Sequence, residues 1–569
     1  MYSSKFLLVV LLAAFFWQNI FAATGAFTDE DYVKALWMAT RFYGGQRSGE
    51  GPNWLIMDTE YPTSFTQDKY NGIDVSGGWF DCGDHVMFGQ TQYWAAYSLA
   101  KAYQIFPKGF YDFYSPDYSG YVASGNWDKP EGGKPNYIPD IIDELVYEAD
   151  YIAKAAIDDN TFISQKGDGD PDHKYWVTAG YMSTFEIDEG GEPRNVYARK
   201  DRAMASYGAA TLAVMSRILD SLGIYPERVA LYKEKALTAY NAAKNAGENA
   251  VGSEGGGFYP PNEDTNDDYA TASIEMYMLT GEQTYLQTAQ AQESKIKNVN
   301  YWGYCYNNNY DIAWFNLATT PGASTTALET LNNFTDTYKT MNKSEGKLIN
   351  VGDNWGTLRY PLAAAFMLGL TDVANGDNSN LQIVYDQVDF VMGANNAKRS
   401  FISGFLPKGD GYTTIYTPHH RNVFQSNEKE VNNDTLKIPQ KNRAFGALVA
   451  NNKFSSEYTG TVDDYKVSEV CTDYNVGLVG ALAYIVSQIA PADEIVPPIV
   501  PVISQPGKLQ FQNPVIRFVG THEFPAQNKS FTVRIFDLKG NLVSLIKSDG
   551  QAVRFTPQNR NIHFATLRE

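Results

Sequence analysis

Two aspartates, Asp81 and Asp84, stand either side of a Cys-Gly pair in Gly77-Gly-Trp-Phe-Asp-Cys-Gly-Asp-His85. A tight turn there can aim both carboxylates at one place. One can then take a proton from a water molecule while the other holds that water. Much later in the chain, Glu469 lies in Asp463-Asp-Tyr-Lys-Val-Ser-Glu-Val-Cys-Thr-Asp-Tyr-Asn475, where an apolar helical pattern begins. A carboxyl at a partly apolar helix entrance can keep a raised pKa and act as an acid. Taken singly, these are also an ordinary Asp-Gly turn and a favourable negative charge at a helix start.

The histidines narrow the chemistry. Of six, His85, His173, His419 and His420 precede residue 508, and all four lie in polar, loop-like segments dense in Gly, Pro and Asp. That placement favours a ligand site over a structural role. No GxSxG elbow, GxxxxGK[ST] loop, HExxH or GxGxxG motif is present, so serine hydrolase, P-loop, zincin and dinucleotide chemistries lose their main support. An acid and a base from distant segments, set among aromatics, is the layout of glycoside hydrolysis.

Seven motifs occur together and in order. They are Tyr43-Gly-Gly-Gln-Arg-Ser-Gly49, Gly77 to Gly89, Ile138-Pro-Asp-Ile-Ile-Asp-Glu144, Gly167-Asp-Gly-Asp-Pro-Asp-His173, Trp355-Gly-Thr-Leu-Arg-Tyr360, Pro418-His-His-Arg421 and Asp464 to Asn475. Together they resemble glycoside hydrolase family 9, the inverting endoglucanases of the cellulase group, over about residues 42–484. The resemblance implies an all-α (α/α)6 barrel and cleavage of internal β-1,4 bonds in cellulose or a related β-glucan. Xyloglucan, glucomannan and cello-oligosaccharides are alternative substrates, and a non-enzymatic glucan-binding protein is disfavoured by the retained carboxylates. By motif position, Glu469 is the general acid, Asp84 the general base and Asp81 the residue that helps hold the water. His173, Arg359, His419, Arg421 and Tyr474 are expected to bind sugar hydroxyls. Trp355, Tyr360 and Tyr259 are expected to offer stacking faces, because sugar rings present apolar C–H surfaces. The family often carries calcium near this chain's Gly-rich segment; Glu263, Asp264, Asp267, Asp268 and Asp311 are the oxygen ligands that would suit Ca²⁺. Cys82 and Cys471 replace family alanines beside the base and the acid. They are expected to form a disulfide, leaving Cys305 free.

These residues need a large scaffold to position them. The chain has 569 residues, 44 % of them hydrophobic and 14 % aromatic, with a net charge of −19. That composition excludes disorder, and the acidic balance argues against a nucleic-acid partner. Residues 1–23 carry Lys5, a short apolar run and small residues at the end, the pattern of a secretory signal rather than a membrane span. The expected localisation is secreted or cell-surface, and the expected state a monomer. Residues 24–490 read as about twelve helices joined by long loops: residues 28–42, 140–153 and ten further stretches, among them 441–451 and 470–489. Residues 491–507 hold five prolines and read as a stiff linker. Residues 508–569 change character to alternating strands near 515–519, 531–536 and 542–546, with a net charge of +5. This small β, sandwich-like module is expected to serve surface sorting or attachment, since its aromatics are all Phe and suit a cellulose-binding face poorly.

Overall fold

A computed structural model describes residues 23–55, 60–114, 134, 136, 138–175, 177–248, 258–259, 264–297, 303–350, 355–416, 444–449 and 464–489, together with strand segments after residue 514. Residues 1–22 of the expected secretory segment and the whole proline-rich stretch, 491–507, lie outside the described residues. Among the described residues, no helix is long and apolar enough to cross a membrane.

Twelve helices of ten residues or more are present among the described residues. They are α1 (Asp29–Gly45), α2 (Gly89–Ile105), α3 (Asp140–Ala155), α4 (Arg202–Leu222), α5 (Pro226–Ala246), α6 (Asn266–Thr280), α7 (Gln283–Glu293), α8 (Tyr310–Thr319), α9 (Ala327–Thr340), α10 (Arg359–Asn375), α11 (Leu381–Met392) and α12 (Tyr474–Ile489). The even-numbered helices form a closed circuit. α2 packs on α4, α4 on α6, α6 on α8, α8 on α10, α10 on α12, and α12 returns to α2. The odd-numbered helices lie outside, each packed against one or more members of that ring. This double ring of six and six is the all-α arrangement expected.

Burial follows the same division. In α2, 16 of 17 residues are buried, and in α12, 13 of 16. Such helices are buried on every side because they face neighbours on every side, and the polar residues that α2 carries inward find partners there. α5 buries only a stripe through Tyr232, Ala236, Ala239, Tyr240 and Ala243. α3 buries Ile141, Leu145, Ala149 and Ile152, the spacing read from the sequence, and its cap is Pro139. α1 starts at a capping box: the Thr28 hydroxyl accepts from the Asp31 N–H, and the Asp31 side chain accepts from the Thr28 N–H.

Two local expectations are corrected. α7 was not expected from the sequence; its Gln- and Thr-rich surface leaves little apolar periodicity, with only Leu286, Ala289 and Gln292 buried. Residues 441–451 were expected to be helical, but the described part, 444–449, is a turn followed by a bridge between Leu448 and Ile402. The reason is a close backbone crossing. Gly446 has φ +84° and lies against the Met38 carbonyl, where a Cβ would collide. The Asn475 amide donates to the Ala39 and Gly446 carbonyls, and its oxygen accepts from the Leu448 N–H. Those bonds replace the helical ones.

After residue 514 the described elements are all strands. Val515–Val519, Ile562–Arg568, Phe531–Phe536 and Leu542–Ser548 form a four-stranded sheet in that order, and His522–Phe524 pairs with Val553–Phe555. The three strands read from the sequence are among them.

A buried charge cluster ties three inner helices together. Glu275 of α6 is fully buried and accepts from Lys101 of α2 at 2.8 Å, from the Tyr97 hydroxyl at 3.0 Å and from Arg217 of α4. Burial alone would push the Glu275 carboxyl up, but Lys101 and Arg217 outweigh it and hold it below its usual value. Its stabilising contribution is therefore complete above the ordinary carboxylate range and is lost as pH falls through the folded pKa. Replacing Glu275 with Gln leaves two buried cations short of their anion. The expected cost is about 3–5 kcal/mol, measured by urea unfolding at neutral pH, with a smaller difference between variant and wild type in acid.

Candidate active site

The functional side chains gather where inner helices begin. Asp81 and Asp84 precede α2, Glu469 precedes α12, Arg359 and Tyr360 open α10, and Tyr474 opens α12. His173 follows the single turn Gly169–Asp172, on a loop anchored by a small sheet of Met87–Phe88, Gln165–Lys166 and Val196–Tyr197.

Asp81 is 2 % exposed. One carboxylate oxygen accepts from the Thr91 hydroxyl, and the other from the Tyr259 hydroxyl at 2.5 Å. Burial, then the nearby Asp84 and Asp473, push its pKa well up. Asp84 is also buried. Its Oδ1 accepts from the Val86 N–H at 2.8 Å, and its Oδ2 lies 3.2 Å from His173 Nε2. His173 Nδ1 sits 2.7 Å from the Gly169 carbonyl, so both ring nitrogens are engaged. Burial works against a charged imidazole here, but Asp84 and the Gly169 carbonyl prevail and raise the His173 pKa. Phe258 stacks on the other face of that ring with centroids 4.4 Å apart.

Glu469 follows the turn Tyr465–Ser468 in extended backbone conformation. Its Oε1 is 3.4 Å from the Gly83 N–H, beside Asp84, and the Trp355 side chain bonds to it. Burial first, and then Asp84, raise its pKa to about 7. The structure thus brings a protonatable carboxyl from the end of the helical region against the Asp81–Asp84 turn from its beginning.

Arg359 is fixed from several sides. It donates to Asp473 at 2.6 Å and to the Tyr360 hydroxyl at 2.7 Å, and lies over the rings of Tyr306, Tyr360 and Tyr474. Tyr360 and Tyr474 are each 3 % exposed. Tyr360 is therefore part of the cage around Arg359 rather than an open stacking face, which corrects the expectation. Tyr259 is half-buried: its hydroxyl holds Asp81, and its ring meets those of Phe88 and Tyr306 edge-on. Trp355 is 41 % exposed. His419 and Arg421 lie outside the described residues.

The sequence reading missed three residues. Tyr465 is 47 % exposed, with its ring 5.3 Å from that of Trp355. Phe258 is exposed beside His173. Asp473 orients Arg359. An aromatic four residues before the acid was the one local signal for Tyr465; Phe258 and Asp473 are legible only once the segments meet.

The expected calcium ligands do not form a cage from the described residues. Asp264 accepts from Asn266 and from the Lys297 N–H, Asp267 from the Asp268 and Asn309 N–H groups, Asp268 from the Asn309 amide, and Asp311 from Tyr338. Glu263 lies outside the described residues. Among the described residues, the group whose ligand atoms converge within 4.8 Å is Cys82, Cys471 and Asp473, not these acids. Cys82 and Cys471 are joined as a disulfide, as expected, and Cys305 is a buried free thiol.

Comparison with known proteins agrees with this geometry. The sequence model for Glycosyl hydrolase family 9 matches residues 32–482. Endoglucanase A of Fibrobacter succinogenes is 37 % identical over 428 residues, covering 72 % of this chain and 90 % of that protein. Among solved structures, a cellulase of C. cellulolyticum is 25 % identical with a TM-score of 0.64, covering 81 % of this chain and 99 % of its own. An endoglucanase from the termite Nasutitermes takasagoensis is also 25 % identical with a TM-score of 0.64, covering 80 % of this chain and 99 % of its own. The match over residues 32–482 and the double helical ring shared with these relatives place this chain in glycosyl hydrolase family 9.

Proposed function

We propose that the protein is an exported endo-β-1,4-glucanase that hydrolyses internal bonds of cellulose or a closely related β-glucan with inversion. One observation carries the reading: Glu469, with its pKa near 7, lies against the Asp81–Asp84 turn in a site lined by exposed aromatics.

Each group has a part in the reaction. Glu469 donates its proton to the departing glycosidic oxygen as the C–O bond breaks. Asp84 takes a proton from the attacking water on the opposite face of the sugar. Asp81, held by Thr91 and Tyr259, keeps that water in line. Direct displacement by water on one side, with departure on the other, inverts the anomeric carbon. His173 holds Asp84 in position. Trp355 bonds to the acid, so a sugar stacked on its exposed face is the one next to the leaving oxygen; Tyr465 extends that platform. Export is supported by the leader-like residues 1–23, and the strands after residue 514 are proposed as a surface-attachment module. No step is assigned to calcium.

The following outcomes test this reading. Glu469→Gln and Asp84→Asn should each lower kcat on a soluble cellulose derivative by about 10²–10⁴-fold while circular dichroism stays helical. With wild type, viscosity should fall far faster than reducing ends appear, and NMR of fresh product should show the α-anomer first. Because Glu469 must be protonated and its folded pKa is raised to about 7, activity should fall as pH rises through that value; a rate limb unmoved from the ordinary carboxylate range would remove Glu469 as the acid. Tyr259→Phe should lower kcat about 10-fold, the worth of one hydrogen bond to a carboxylate, with little change in KM.

A further inference from the structure

The loop that carries the base and the loop that carries the acid are joined by a covalent bond. Cys82 lies between Asp81 and Gly83-Asp84, and Cys471 lies two residues after Glu469 and two before Asp473. The bond links positions 389 residues apart in sequence. Both cysteines are buried, and they form a small cluster with Tyr474. The Cys82 sulfur is 3.2 Å from an Asp81 oxygen and 3.5 Å from the Tyr259 hydroxyl, so the disulfide packs directly against the Asp81 carboxylate and the hydroxyl that holds it.

The noncovalent links between the two loops are uneven. Thr472 is held well: its N–H donates to the Asp81 carbonyl at 2.8 Å, its hydroxyl donates to the Phe80 carbonyl at 2.7 Å, and its own carbonyl accepts from Tyr43. The Asp81 and Cys82 carbonyls accept from Gln46. Glu469 is held less firmly. Its link to the base loop is the Gly83 N–H at 3.4 Å, and the turn before it exposes Tyr465 and Lys466. Between the firmly held Thr472 and the acid there are only Val470 and Cys471.

We propose that the Cys82–Cys471 disulfide is a positioning pair that sets the distance of the acid from the base, so that turnover depends on its being closed. This rests on the hydrolase reading above. Opening it requires a reductant: an external dithiol attacks the S–S bond, becomes a cyclic disulfide, and its two electrons and two protons leave Cys82 and Cys471 as thiols. The backbone bonds to Thr472 persist, so the fold survives, but the Glu469 carboxyl gains room to move. Reaction rates are sensitive to such displacement, with about 1 Å able to cost on the order of 100-fold. Sugar binding rests on other groups, Arg359 and the Trp355 face among them, and is less affected.

The test uses the full chain carrying Cys305→Ser, so that no third thiol can exchange. Free thiols are counted on the oxidised protein under denaturing conditions without reductant. Then kcat and KM on cellotetraose are compared for the oxidised protein, the same protein reduced with dithiothreitol, the reoxidised protein, and a Cys82→Ala/Cys471→Ala variant, each checked for helix content. The expected results are no free thiol in the oxidised protein, a kcat about 10- to 100-fold lower when reduced or doubly substituted, KM within about twofold, and recovery on reoxidation. Two free thiols in the oxidised protein, or equal kcat in the oxidised and the folded, reduced protein, would overturn the proposal while leaving the hydrolase reading intact. Failure of the hydrolase reading shows separately, as inactivity of the oxidised protein itself on every β-glucan tried.

Discussion

The closure of the inner ring is the constraint on which the rest of the molecule depends. α2 and α12 are its first and last members by sequence, yet they pack side by side. The residues that precede them, 80–85 and 469–473, therefore meet at one seam. Thr472 is clamped there by both backbone and side-chain bonds to Phe80 and Asp81, and Tyr43 of α1 supports it from outside. Every proton transfer in the proposed mechanism takes place across that seam. A helical ring is well suited to this, because its closure is enforced by extensive apolar burial elsewhere and does not need the catalytic groups to hold it together.

Within the seam, similar carboxyls acquire different characters from their surroundings, the general way in which one site provides both an acid and a base. Asp81 is enclosed by two hydroxyl donors and deprived of solvent. Asp84 is ion-paired to His173. Glu469 has only a distant N–H and an indole nearby, with a like charge beside it, and so retains its proton to about pH 7. None of these differences resides in the residue type. Each follows from which partner the fold supplies.

The aromatic content serves two purposes that composition does not separate. Most of the large tyrosines are buried and work as hydrogen-bond donors between helices: Tyr32 to Asp389, Tyr338 to Asp311 and Tyr484 to Asp372 are examples. A much smaller set is left open near the acid and the base, namely Trp355, Tyr465 and Phe258. In the proposed reading, binding of an apolar sugar face falls to this second set.

Sequence alone determined the scaffold type and the reacting groups. Periodic apolar stripes, as in α3, the capping box at Thr28 and the near-uniform apolarity of α12 each follow from local chemistry, because helix periodicity and capping are properties of a few consecutive residues. The paired aspartates, the distant glutamate and the two cysteines beside them were legible as motifs, and so was the disulfide, through their substitution at matching places. Tertiary structure decided what the neighbours are for. Tyr259 and Tyr360 carry the same side chain as a stacking platform would. Only the approach of Asp81 to one and of Arg359 to the other makes them hydrogen-bond partners instead. The 444–449 segment has helical composition, but the crossing of Gly446 over α1 and the three bonds of Asn475 hold it as a turn and a bridge. The acids named for calcium are dense in sequence, and in the fold Asp267 and Asp268 both accept from Asn309 while Asp311 accepts from Tyr338. In each case the deciding partner comes from a remote part of the chain, and its distance and direction are set by packing rather than by spacing along the sequence.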